Sequence, residues 1–207
     1  MARATSTPLV TALTCVRCGR RSRHGLDGPC PRCGPEGVLD VEYDLARVRR
    51  AMTRQALAAR PRTLWRYHEL LPVPKGTRRP AWEPGGTPLV ASPPLARWAG
   101  VRRLLLKDEG RNPTASFKDR ASAVGVTRAL ARRARVVACA STGNAATSLA
   151  GAAASVGLPC VIFVPEFAPE PKVAQLLIFG ARVLRVKGTY DETWELCQRA
   201  CDRHRWY

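Results

Sequence analysis

The chain has no run of eighteen apolar residues, which excludes a membrane-spanning helix of ordinary length. Its N-terminus has no charged stretch followed by an apolar one, so no secretory signal pattern is read there. These two absences predict a soluble, cytoplasmic protein. Acidic residues are scarce: 16 Asp and Glu stand against 34 Lys and Arg, a formal net charge of +18. So large an excess ordinarily points to nucleic acid. Here, however, the positive residues are overwhelmingly Arg, dispersed through an Ala-, Arg- and Pro-rich background. Clusters occur only at residues 17–23, 47–54 and 128–135. Biased composition accounts for this better than nucleic-acid binding does, and an anionic substrate would also be drawn by such a field. Histidine is rare too. His24, His68 and His204 have no convincing partners, and none is assigned a catalytic role. What remains suffices for a folded core: 45% apolar residues over 207, enough for one large or two small domains.

Residues 1–10 read as a disordered leader. Cys15-Val16-Arg17-Cys18 and Cys30-Pro31-Arg32-Cys33 then form two Cys-x-x-Cys knuckles separated by eleven residues. Gly19 and Gly34 follow them and free the tight turns whose N–H groups face the thiolates. This spacing suits tetrahedral coordination of Zn2+ by four thiolates, within a ribbon spanning residues 11–40. Two disulfides or four unrelated thiols are the alternatives. A reducing compartment disfavours the first, and two such knuckles seldom arise by chance. Four thiolates close the coordination shell, so the metal is read as structural. A ribbon of this kind could bind RNA or DNA, but no aromatic residues interleave between its knuckles. Cys139, Cys160, Cys197 and Cys201 fall in strand or helix patterns and read as buried small apolar residues.

The chain is organised around residues 104–165. Short apolar runs at 104–106, 136–140 and 161–164 alternate with longer Ala-rich stretches of helical character, which is the pattern of βαβ units on a parallel sheet. Two strand-to-helix connections carry unusual chemistry. The first, Asn-Pro-Thr-Ala-Ser-Phe-Lys-Asp-Arg at residues 112–120, breaks at Asn112-Pro113. A helix over residues 116–132 then places Lys118 in a first turn, where the positive end of the dipole disfavours a cation. An amine so placed suits covalent chemistry with a carbonyl. Pairing with Asp119, or solvation at a helix end, is the plainer alternative. The second connection, Ser141-Thr142-Gly143-Asn144, opens an Ala-rich helix. Its N–H groups can face an anion, Gly143 lets a ligand approach the backbone, and Asn144 can donate or accept. An N-capping turn is the plainer reading, compatible with anion binding. Both connections are expected at the carboxyl edge of an open sheet, where ligands bind.

The sequence at 112–120, followed by Ala-Ser-Thr-Gly-Asn-Ala-Ala-Thr-Ser-Leu-Ala at 140–150, resembles the fold-type II pyridoxal-phosphate enzymes, most closely the threonine synthases. Glu-Pro-Gly-Gly-Thr-Pro-Leu at 83–89, Thr-Leu-Trp-Arg-Tyr-His-Glu-Leu-Leu-Pro at 63–72 and residues 164–192 extend the likeness. Many threonine synthases also carry an N-terminal zinc ribbon running into a segment similar to residues 39–45. The resemblance implies an α/β fold, with an open, mostly parallel sheet flanked by helices over residues 95–207. It implies pyridoxal 5'-phosphate held covalently by Lys118, with Asn144 bonded to the cofactor's phenolic oxygen. The backbone of Ser141, Thr142 and Gly143 would hold the substrate carboxylate. The implied reaction converts O-phosphohomoserine and water to threonine and phosphate. Related possibilities are a threonine or serine dehydratase or a cysteate synthase; a zinc-ribbon nucleic-acid module without catalysis is the rival of another class.

Between ribbon and catalytic domain, residues 41–94 read as a helix over 44–57, capped by Asp44, and an irregular Pro-, Trp- and Gly-rich segment packed on the main domain. Gly85, Gly86 and Thr87 make a tight turn before a short strand. After residue 165, a helix from Lys172 to Gly180, a strand over 181–186 and a helix over 191–204 are expected. Lys107, Arg111, Arg120 and Lys172 are candidates for a substrate phosphate, more readily read as structural charges. Family members carry a Gly-rich loop for the cofactor phosphate, whereas after Gly157 only the isolated Gly180 and Gly188 occur here. That departure implies an incomplete catalytic domain: a fragment, or one subunit beside a complementing C-terminal half, with a homodimer also open. An uncovered strand edge would then favour aggregation.

Overall fold

The computed structural model describes residues 9–22 and 28–207. Residues 1–8 of the expected leader, and His24, lie outside them. The chain divides into two compact units, one built from residues up to Pro61 plus Trp65–Thr77, the other from Arg62–Leu64 and Arg78–Tyr207.

In the first unit, β1 (Val10–Cys15) is the centre of a three-stranded antiparallel sheet, flanked by β2 (Arg21–Ser22) and β3 (Leu39–Tyr43). Leu13 faces Val41 across the ladder, with a register shift between Val10 and Ala12. Both knuckles hang from this sheet. The helix expected over 44–57 forms as two, α1 (Leu45–Ala51) and α2 (Arg54–Ala58). Asp44 caps the first by accepting from Arg47 N at 3.0 Å. Thr53 then adopts extended geometry and its hydroxyl accepts from Ala56 N at 3.1 Å. A residue capping a new helix cannot continue the old one, so the periodic pattern is cut there. Arg60 clamps the buried Glu69 with two bonds, of 2.6 and 2.8 Å.

The second unit contains β4 (Leu89–Ala91), α3 (Pro93–Trp98) and β5 (Leu105–Lys107), followed by α4 (Lys118–Ala131), β6 (Val137–Ala140), α5 (Asn144–Ala154), β7 (Cys160–Pro165), α6 (Glu170–Ile178), β8 (Arg182–Val186) and α7 (Tyr190–His204). The sheet β6-β7-β8 is parallel, with Ala138 beside Val161 and Phe163 beside Leu184. Central β7 is buried along its whole length, as its unbroken apolar run requires in a strand covered on both faces. Side chains alternate across it. Ile162 and Val164 join Ala146, Ala150, Val173 and Leu176 under α5 and α6, while Val161 and Phe163 meet Cys197 of α7. This is the α/β architecture expected.

One strand departs from the expectation. The apolar run at 104–106 does not join the parallel sheet. As β5 it pairs antiparallel with β4, Val90 opposite Leu106, because α3 turns the chain back on itself between them. Hydrophobicity alone marks a strand but not its partner. Both strands of this ribbon stay exposed, although Leu89, Val90, Leu105 and Leu106 form runs suited to burial on both faces. Along the free edge of β6, Tyr207 N donates to Val136 O and Ala138 N donates to Tyr207 O, one parallel rung. Trp82, from the Pro- and Trp-rich segment, packs edge-on against Phe179 with centroids 6.4 Å apart.

Candidate functional site

The two chemistry-bearing connections lie at the same end of the parallel sheet. α4 enters β6 through residues 132–136, and α5 enters β7 through residues 155–159. Both helices therefore end at the amino edge and begin at the carboxyl edge, and they pack on one another.

Lys118 opens α4, half-buried, with its Nζ over the Phe117 ring at 5.0 Å from the centroid. Its backbone N donates to Ser116 Oγ at 3.1 Å. The expected alternative, pairing of Lys118 with Asp119, is not what the fold uses Asp119 for. That carboxylate is fully buried and accepts from Thr114 N at 2.6 Å and from the Thr114 hydroxyl. The loop between them passes through Ala115 at φ +59°, a left-handed conformation that an alanine adopts only when its surroundings impose it. Asp119 thus sets the loop that delivers Lys118.

A second carboxylate ties this loop to the Gly-Gly-Thr turn. Glu109 accepts two bonds of 2.8 Å from the Arg120 guanidinium, one of 2.7 Å from the Thr87 hydroxyl and one of 2.9 Å from Asn112 Nδ2. Asn112 Oδ1 in turn accepts from Gly85 N at 2.9 Å. The Arg120 fork, with Thr87 and Asn112, holds the Glu109 carboxyl down at about 2 against the opposing effect of burial. Gly86, at φ +64°, lies so close to Arg62 that a Cβ there would sit 1.8 Å from its carbonyl oxygen. Arg120, Arg111 (on Asp108, 3.2 Å) and Lys107 (on Thr87 O) are engaged within the protein, the structural alternative set out above.

Residues 141–144 join β6 to α5. Ser141 N donates to Phe163 O at 3.1 Å, continuing the sheet, and Gly143 N donates to Ser141 Oγ at 3.2 Å. Asn144 begins the helix and is exposed; Ala146 N and Thr147 N donate to Gly143 O, at 3.1 and 3.3 Å, whereas the N–H groups of Thr142, Asn144 and Ala145 are left for a ligand. A Cβ placed on Gly143 would meet no atom within 4 Å, so open space borders this turn. The loop carrying Lys118 leans on the same helix: a Cβ on Gly151 would lie 3.2 Å from Thr114 Cγ2 and 2.4 Å from the Trp82 ring. An amine, an amide side chain, unused N–H groups and free space therefore share one edge. That donor set fits an aromatic aldehyde with a ring oxygen beside it.

In the first unit, the Sγ atoms of Cys15, Cys18, Cys30 and Cys33 all lie within 4.8 Å of one another, Cys18 and Cys30 at 3.8 Å. A tetrahedral Zn2+ with bonds of about 2.3 Å would set sulfur atoms about 3.8 Å apart. Gly19 and Gly34 take φ +68° and +61°, and each donates its N–H back to the first cysteine of its knuckle at 2.9 Å. The Cys18 N–H draws the Cys15 thiol down to about 7, whereas its hydrogen bond with Cys18 pushes Cys33 up to about 12. Four thiols this close cannot all ionise alone; a divalent cation removes that conflict. Sequence reasoning missed Gly37, where a Cβ would fall 2.5 Å from Cys30 Cβ and 2.7 Å from Cys33 Cβ. It also missed Glu109 and left Asp119 without its role. Their signal was only their place beside Asn112 and Lys118.

The profile of the pyridoxal-phosphate dependent enzymes matches residues 83–207, and the chain belongs to that family. Among curated relatives, it is 40% identical over 198 residues to the threonine synthase of Methanosarcina acetivorans, covering 94% of this chain and 47% of that one. To the threonine synthase of Methanocaldococcus jannaschii it is 37% identical over 186 residues, covering 89% and 45%. Diaminopropionate ammonia lyase from Escherichia coli, solved in complex with an aminoacrylate-PLP azomethine reaction intermediate, superposes with a TM-score of 0.54 at 27% identity, over 63% of this chain and 36% of that one. The chain spans about half the length of the curated relatives it matches. Among the described residues, no helix is long and apolar enough to cross a membrane.

Proposed function

We propose that the chain supplies the lysine-bearing part of a threonine synthase-type lyase, acting in the cytoplasm on O-phosphohomoserine and water to give threonine and phosphate. The observation that carries this reading is the placement of Lys118 and residues 141–144 at one carboxyl edge, in a chain about 40% identical to threonine synthases. When bound, pyridoxal 5'-phosphate supplies an electron sink for carbanion chemistry. Lys118 would hold it, and the same amine would move protons at the α and β carbons of the substrate. Asn144 would bond the phenolic oxygen of the ring. The backbone of Ser141, Thr142 and Gly143 would hold the substrate carboxylate where the helix dipole favours an anion, with Thr142 N the donor, since Ser141 N is bonded to Phe163 O and Gly143 N to Ser141 Oγ. Glu109 and Asp119 position Lys118 without touching substrate.

Zn2+ bound by Cys15, Cys18, Cys30 and Cys33 is structural in this reading: it pins the two knuckles to β1 and leaves no coordination position open. The matched relatives are about twice as long, and activity is assigned to a complete enzyme that includes these residues, whether in one longer chain, with a complementing C-terminal half, or as a homodimer. The exposed apolar ribbon β4-β5 supports such a partner. Phosphate release from O-phosphohomoserine by that enzyme, abolished by Lys118→Ala, is the test. Deamination of threonine or serine without phosphate release would favour a dehydratase instead, and the likeness to an ammonia lyase makes that the second reading. Sulfite incorporation would indicate a cysteate synthase.

A further inference from the structure

Tyr190 stands first in α7, fifty residues along the chain from the end of β6, yet its hydroxyl donates to Ala140 O at 3.1 Å. Ala140 closes β6, and its carbonyl shares a peptide unit with Ser141 N, which donates to Phe163 O of β7 at 3.1 Å. One peptide plane, the entry to residues 141–144, is therefore held from both sides. We propose that Tyr190 is a positioning residue: through this peptide its hydroxyl sets the Ser-Thr-Gly bend so that Thr142 N faces the carboxylate of the amino-acid substrate. The inference rests on the role proposed above for that bend.

The peptide plane supplies the first argument. Ser141 Oγ accepts from Gly143 N at 3.2 Å, so the direction of Ser141 decides the path of the next two residues. With the Ser141 and Gly143 N–H groups engaged inside the protein, Thr142 N–H lies between two fixed donors. Turning the plane between 140 and 141 would swing the whole bend, because a planar peptide passes its orientation on through only two soft angles per residue. The framing of Tyr190 supplies the second argument. The Thr189 hydroxyl accepts from Glu192 N at 3.2 Å, and the Glu192 carboxylate accepts from Thr189 N at 2.7 Å, a reciprocal cap. The buried Thr193 hydroxyl donates back to Thr189 O at 2.8 Å. Gly188 leaves room for this cap, since a Cβ there would fall 2.5 Å from Glu192 Oε2. The turn that launches Tyr190 is thus fixed by bonds of its own before the phenol reaches β6. Nor does α7 need that bond for its seat, because Cys197 already packs against Val161 and Phe163. A neutral hydrogen bond adds little to stability but fixes a direction, and direction is what a ligand-bearing bend requires.

Tyr190→Phe removes only the hydroxyl. Amide hydrogen exchange of the full chain, followed by NMR, tests the positioning without any ligand. Exchange at Ser141 should quicken about fivefold, as for one lost hydrogen bond, while Ile162 and Val164 in β7 keep their rates. The second arm loads the chain with pyridoxal 5'-phosphate and follows the cofactor's absorbance. The titrants are O-phosphohomoserine and 3-aminopropyl phosphate, the same molecule without its carboxylate. Cofactor loading should be unchanged. The half-saturating concentration of O-phosphohomoserine should rise about fivefold, and that of 3-aminopropyl phosphate should stay the same. An equal rise for both compounds, which a merely structural role gives, overturns the proposal. Unchanged exchange at Ser141, or no rise for either compound, does so too. If the native chain takes up no cofactor, or neither compound shifts its absorbance, the reading of the site fails, and exchange at Ser141 alone decides whether Tyr190 sets the bend.

Discussion

Replacing Glu109 with Gln tests whether the network beneath Lys118 is set by charge. In the native chain the carboxylate takes both arms of the Arg120 fork, the Thr87 hydroxyl and Asn112 Nδ2, and its proton affinity falls from the ordinary 4.5 to about 2. At about 1.36 kcal/mol per tenfold, this corresponds to at most about 3.4 kcal/mol of stabilisation. The side chain is 25% exposed, so solvent screening brings the expected value to about 2 kcal/mol. A depressed carboxyl stabilises fully above its unfolded value and loses that stabilisation as pH falls through the folded one. Urea unfolding followed by tryptophan fluorescence should therefore show Glu109→Gln about 2 kcal/mol less stable at pH 7. The gap should narrow from about pH 4.5 downwards and be nearly closed at about pH 2. A gap that stays constant across this range, or is absent at pH 7, would refute the reasoning.

The other substitutions probe geometry. Gly86→Ala sets a Cβ 1.8 Å from Arg62 O on a left-handed backbone, so it should cost more than about 3 kcal/mol, or the fold of the second unit, read by thermal melting. Asp119→Asn turns an amide toward one of the two Thr114 donors. It should cost about 2–3 kcal/mol and reduce cofactor loading at Lys118 more than Glu109→Gln does; unchanged loading would show that Asp119 does not set the loop. Metal analysis of purified protein should give one zinc per chain, with Cys33→Ser lowering it sharply. Chelation should melt the first unit, seen as lost β signal in circular dichroism, while the second unit holds. Zinc retained in full by Cys33→Ser would remove that thiol from the site.

Much of this was legible in the sequence because the signals were local. Two Cys-x-x-Cys knuckles lie within nineteen residues, Cys15 to Cys33, and their turns need only the neighbouring glycines. Lys118 and residues 141–144 stand out by their place after strands, and the structure sets both at helix starts. What could not be read depends on partners distant along the chain. The run at 104–106 announced a strand but not that β4, reached through α3, would claim it. The helix over 44–57 had continuous periodicity, yet Thr53 broke it by capping, a competition between side chain and backbone that periodicity does not register. Glu109 joins residues from 87 to 120, and Gly37 is fixed by the closeness of two cysteine side chains. Neither constraint has a signature in spacing.

The central claim is that one amine, at the start of α4, receives the cofactor. The direct measurement is incubation of the purified chain with pyridoxal 5'-phosphate, borohydride reduction, and peptide mass spectrometry of every lysine. Modification concentrated on Lys118, well above Lys75, Lys107, Lys172 and Lys187, and lost in Lys118→Ala without rising elsewhere, is the predicted result. Equal labelling of all five lysines, or labelling undiminished in Lys118→Ala, would contradict it.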